Sequence, residues 1–183
     1  DKIIVSHSFG GFCTLKTASL YADQLKGVVI VDTVLSPQFL NQEKDQKEGG
    51  FKPRKVYPST DDAMLRFKLL PAQPCENDYI LDYIGRHSLT EVEDGVMWKF
   101  DHLFGPKTDT RELKHDIPDI KCNTTVIHGE NSLFFEPDSI EFMQGLYGAH
   151  VPFISVPDAQ HHVFLDQPLE FTKILKNALN QWD

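Results

Sequence analysis

The chain has 183 residues, 40% of them hydrophobic and 11% aromatic, enough for a globular core and too apolar for a disordered segment. Its formal net charge of -9 weighs against nucleic acid or an anionic membrane as a partner, because both need clustered lysine and arginine. The one dense basic cluster, Lys52, Arg54 and Lys55, reads as a solvated loop rather than a phosphate site.

Cys13, Cys75 and Cys122 stand far apart without CxxC spacing, the pattern of free thiols in a reducing, cytoplasmic compartment. No apolar run nears the length of a membrane-spanning helix, and there is no signal-peptide pattern. The first residue is Asp1 and an apolar strand comes at once, so the expectation is that residues precede it.

Taken in chain order, Ile3–Val5 is the first of four short apolar runs rich in β-branched residues; Val28–Val31, Thr124–Ile127 and Val151–Val156 are the others. Continuous rather than alternating runs suit parallel strands buried on both faces. Helix-like segments come after them: Phe12–Ala22 after the first, Pro137–Leu146 after the third, and Pro168–Trp182 at the end. This alternation predicts a doubly wound α/β sheet. Between Leu35 and Lys121 the rhythm breaks. Asn41–Gly50 is a charged loop, Ser59 can cap a helix running to Leu70, and Glu76–Val92 reads as a second helix. Trp98, Phe100 and Phe104 crowd together after it. A mostly helical insertion between two strands is expected to be a lid. The expected organisation is therefore 1–34 as core sheet, 35–121 as lid, and 122–183 as core sheet with the closing helix.

The chemistry concentrates in Ser6-His7-Ser8-Phe9-Gly10-Gly11, directly after the first strand and before the first helix. A serine hydroxyl becomes a nucleophile when a base takes its proton and donors hold the oxyanion that forms. A sharp strand-to-helix turn presents it at the sheet's carboxyl edge, with small residues two positions either side. Ser8 is the centre of that pattern, Ser6 and Gly10 the small flanks, and Gly11 allows close helix–strand packing. The Phe9 backbone N–H is the expected oxyanion donor.

A base is expected after the last strand, where His161 and His162 lie in DAQHH; His161 is preferred and His162 is read as a packing residue. The acid has three candidates. Asp32, at the end of the second strand, is preferred over Glu130, with Asp138 behind; Ser132, where an aspartate often stands, cannot serve as an acid. His102, His115 and His128 lack metal-ligand spacing, and no HExxH or phosphate-binding glycine loop occurs, so neither metal nor cofactor is expected.

With VSHSFGG, GVVIVD, VIHGENS and DAQHHVFLDQP, the chain resembles the α/β-hydrolases, in particular the lidded group of esterases and C–C bond hydrolases. The resemblance implies the order Ser8, Asp32, His161, a parallel sheet built from strands five to eight of that fold, and a cap over 35–121. It implies a serine hydrolase cleaving an ester, thioester, lactone or C–C bond; aromatic residues of the lid, such as Trp98, Phe100 and Phe104, suggest a small apolar or aromatic substrate. A non-catalytic ligand-binding member of the fold is the alternative. It also implies that the first four strands, with the loop carrying the second oxyanion donor, are absent, and that this chain alone is nearly inactive.

Overall fold

The computed structural model describes residues 2–37, 53–102 and 112–182. They fall into two compact units, one from the two ends of the sequence and one from its middle. Lys52, the loop Asn41–Gly50 and Phe104 lie outside the described residues.

The first unit carries a parallel sheet of four strands: β1 (Lys2–His7), β2 (Leu25–Val31), β5 (Asn123–Gly129) and β6 (Phe153–Val156), in the order β1-β2-β5-β6. Helix α1 (Phe9–Tyr21) joins β1 to β2, and α5 (Pro137–Tyr147) joins β5 to β6. Short α4 (Leu113–Asp116) precedes β5, while α6 (Val163–Asp166) and α7 (Pro168–Asn180) close the chain. Alternate residues of β2 point to opposite faces. Val28 and Ile30 join Leu15, Ala18, Val126, Met143 and Tyr147 in one core beneath α1 and α5. Val29 and Val31 join Ile127, Val156 and Val163 in a second, covered by Phe171, Ile174 and Leu175 of α7. Burial on both faces explains why β2 is uniformly apolar; each such side chain contributes roughly 1.5–3 kcal/mol. β1 is an edge of the described sheet, with Ile3 and Val5 about two-fifths exposed.

Strand and helix bounds differ from expectation at a few ends. β6 begins at Phe153 rather than Val151, because Val151 N–H closes a turn onto Gly148 O and Pro152 has no N–H to donate. α1 begins at Phe9, so the helix starts immediately after Ser8.

The second unit corrects two expectations. Ser59 does cap a helix, its Oγ accepting from Asp62 N–H, but α2 (Thr60–Met64) stops well short of Leu70. Arg66 N–H and Phe67 N–H close tight bonds to Ala63 O and Met64 O, and Phe67 packs its ring on Trp98. The second helix, α3 (Asp78–His87), ends before Leu89. Beyond it the chain forms an antiparallel hairpin of β3 (Leu89–Val92) and β4 (Gly95–Trp98), with Leu89 opposite Trp98 and Val92 opposite Gly95. The Asp94-Gly95 turn between β-branched residues is a hairpin signal, and it outweighs the helical reading of 76–92. Among the described residues no helix is long and apolar enough to cross a membrane.

Candidate active site

The carboxyl ends of β1, β2 and β5, with the loop after β6, bring the candidate residues together. Ser8 comes directly after β1 and sits at φ 52°, ψ −125°, a conformation that non-glycine residues adopt only under strain. Three bonds hold it there. Its N–H donates to Val31 O (2.9 Å), Gly11 N–H donates to its carbonyl (2.9 Å), and Thr33 Oγ1 donates to the same carbonyl (2.7 Å). Asp32, at the end of β2, is a second positive-φ residue (46°), its N–H held by Ile127 O at 2.8 Å. The third among the described non-glycine residues, Asp158, lies on the loop that carries the histidines.

Ser8, His161 and Asp32 form one continuous hydrogen-bonded chain. His161 Nδ1 lies 2.7 Å from Asp32 Oδ1, and its Nε2 lies 2.9 Å from Ser8 Oγ. The carboxylate can only accept, so Nδ1 carries the proton and Nε2 is left to accept from the serine hydroxyl. Asp32 is 1% exposed and His161 5% exposed, so water competes little for either bond. Asp32 has two further donors: Gly129 N–H on Oδ2 (2.8 Å) and the Ser132 hydroxyl on Oδ1 (2.7 Å).

The other acid candidates are elsewhere. Glu130 Oε2 accepts from Asp158 N–H at 3.1 Å, and Asp138 lies in the first turn of α5. Ser132 cannot be an acid, yet it donates to the acid. That link joins residues 100 positions apart, so it leaves no mark in local sequence.

Gly129 explains how the histidine loop comes so near. A Cβ there would meet the carbonyls of Gln160 and, at 2.5 Å, Ala159, so only glycine lets that backbone cross the end of β5. Asn131 N–H then donates to Ala159 O (2.8 Å). Gly11 plays the same part under α1, where a Cβ would overlap the Thr33 side chain. Gly10 does not: a Cβ there would lie 3.7 Å from Ser6 Cβ, an ordinary contact. The position that requires glycine is therefore the one expected to pack helix on strand, Gly11, while position 10 has room for a Cβ. Ser6 occupies its place with a buried hydroxyl that has no hydrogen-bond partner among the described residues.

His7 is a further participant, and nothing in its sequence neighbourhood marks it as one. Its Nε2–H donates to His161 O at 2.8 Å, fixing the backbone of the base. Burial, outweighing that bond, pushes its pKa from 6.5 down to about 4, so the ring is neutral. His162 packs against both His7 and His161, and Phe134 meets the His161 ring edge-on. The three imidazoles offer ligand atoms within 4.8 Å of one another. A metal there would have to take His161 from Ser8 or Asp32, so the arrangement suits proton transfer better than coordination. Phe9, as the first residue of α1, places its N–H at the helix N-terminus beside Ser8.

The sequence model for the α/β hydrolase fold matches residues 1–168. The chain belongs to the α/β hydrolase fold family. No curated protein sequence matches it significantly. Among solved structures, this α/β hydrolase chain resembles the thioesterase domain from the curacin biosynthetic pathway, with a TM-score of 0.73 at 15% identity over 97% of this chain and 66% of that one. It resembles E-2-(acetamidomethylene)succinate hydrolase, with a TM-score of 0.72 at 19% identity over 97% and 66%. The esterase Rv0045c from Mycobacterium tuberculosis gives a TM-score of 0.74 at 21% identity over 98% and 60%. At these identities the likeness is one of fold. The chain spans less than two thirds of the length of each of these structures.

Proposed function

We propose that the protein to which this chain belongs is a serine hydrolase acting through an acyl-enzyme on an ester, thioester, lactone or C–C bond. The observation that carries the reading is the unbroken Ser8–His161–Asp32 chain with bonds of 2.9 and 2.7 Å. Ser8 Oγ attacks the carbonyl carbon as its proton passes to His161 Nε2. Asp32, held by Gly129 N–H and Ser132, stabilises the imidazolium that forms and keeps its tautomer. The Phe9 N–H donates to the developing oxyanion. His161 then protonates the leaving group, and a water deprotonated by the same nitrogen releases the acid. None of these steps requires a cofactor. A small apolar or aromatic substrate is the class proposed, and a cytoplasmic location goes with it.

The test is a fluorophosphonate probe on the chain and on Ser8→Ala. The reading expects labelling at Ser8 that the variant lacks. A folded chain that stays unlabelled at Ser8 supports a ligand-binding member of the fold instead.

A further inference from the structure

The second unit contains a cavity of its own, of about 560 Å³. That lies within the roughly 300–1,000 Å³ typical of small-molecule sites. Five of the ten described residues that line it are large and apolar: Phe67, Leu69, Leu70, Trp98 and Phe100. The floor is built where the chain leaves helix. α2 ends at Met64, and the turn after it lays Phe67 against Trp98, with ring centroids 5.6 Å apart. The hairpin carries Trp98 and Lys99 to the same place.

The charged lining has a single sign. Arg66, Lys68 and Lys99 are present with His87, and among the described residues no aspartate or glutamate lines the cavity. The protein as a whole has 27 acids against 18 lysines and arginines, so a described lining that bears cations and no acid runs against its composition. Lys99 Nζ is held in position by donating to His87 O at 2.7 Å, which leaves two of its three protons for another acceptor. Arg66 and Lys68 are exposed, so their charges lie toward solvent; Phe67, Leu69 and Trp98 are half-buried, while Leu70 and Phe100 are exposed at the mouth.

We propose that this cavity binds a free, single-chain anionic amphiphile: an aliphatic or aromatic tail against Phe67, Leu69, Leu70, Trp98 and Phe100, and a carboxylate or phosphate head at Arg66, Lys68 and Lys99. The apolar floor supplies affinity by removing tail surface from water. The cations select the head group, because a positive head would be repelled at the same rim. The site is formed within one unit, so it stands whether or not Ser8 is a nucleophile.

Trp98 reports occupancy directly, since the protein has only one other tryptophan, Trp182. The experiment is a fluorescence titration of the 183-residue chain with dodecanoate below its micellar concentration, against dodecyltrimethylammonium, with calorimetry as a second measurement. Dodecanoate is expected to shift Trp98 emission saturably, and to bind about tenfold or more tightly than the cation of equal length. Arg66→Glu/Lys68→Glu is expected to abolish that preference while circular dichroism stays unchanged. Trp98→Phe should lose the optical signal and keep the calorimetric one. Equal affinity for the two amphiphiles, or no saturable binding of dodecanoate by either method, overturns the proposal. So does binding confined to phosphatidylglycerol vesicles, which would make the face a membrane contact.

Discussion

Replacing Gly11 by alanine tests the claim that the nucleophile turn is held from beneath by Thr33. A Cβ at position 11 would overlap Thr33 Oγ1 and come within 2.7 Å of its Cβ and 2.8 Å of its Cγ2. Thr33 is 2% exposed and adjoins Asp32, so its backbone has no room to retreat. Overpacking of this kind costs about 1–3 kcal/mol. Displacing Thr33 also loses its 2.7 Å bond to Ser8 O, about 0.5–1.5 kcal/mol more. The total, roughly 2–4 kcal/mol, corresponds to a Tm lowered by about 6–12 °C in a chain of this size. Gly10→Ala is the matched control. Its Cβ makes one ordinary contact at 3.7 Å and lies inside α1, so it is expected to be neutral or to raise stability by a few tenths of a kcal/mol. The assay is thermal unfolding of both variants, with the rate of fluorophosphonate labelling at Ser8 as the functional readout. Labelling should slow in Gly11→Ala and persist in Gly10→Ala. Equal Tm values for the two variants would refute the steric argument.

Other outcomes rest on the same geometry. Ser132→Ala removes one of the donors on the buried Asp32 carboxylate and is expected to cost about 1.5–3 kcal/mol, read as a lower denaturation midpoint and slower labelling. Asp32→Asn should slow labelling by up to roughly 10⁴-fold while the chain stays folded, since an amide can hold His161 in the wrong tautomer. Ser6→Ala deletes a buried hydroxyl without a partner among the described residues, so stability should be unchanged or higher by up to about 1 kcal/mol; a clear loss would reveal a partner for it. His7 has its folded pKa lowered to about 4 from 6.5, so the unfolded chain binds the extra proton. Its stabilising contribution is complete above about pH 6.5 and is lost as pH falls toward 4, about 2 kcal/mol between pH 7 and 5. Denaturant midpoints against pH should flatten over that window in His7→Asn.

Much of this architecture is written locally. The apolar runs at Val28–Val31 and Thr124–Ile127 are uniform because both faces of those strands are buried, and burial of this kind leaves its mark in consecutive residues. Ser8 is legible for a similar reason: a strand, a serine between small residues and a helix are neighbours in sequence. The hairpin Leu89–Trp98 is signalled too, through Asp94-Gly95. Tyr79, Ile80, Tyr83 and Ile84 share a helical face just ahead of it, however, and that periodicity masks where the helix ends.

By itself the sequence determined the order of the strands and helices of the sheet unit and the residue types able to do nucleophilic chemistry. Only the tertiary structure decided which of three carboxylates meets His161, and that a serine in the place of an acid steadies one at the neighbouring strand. The same holds for His7, whose partner is a backbone carbonyl 154 positions away. The physical reason is range. Periodicity and turn chemistry act over a few residues, whereas a hydrogen bond between side chains 100 positions apart depends on how strands pair and how closely two backbones can cross at Gly129.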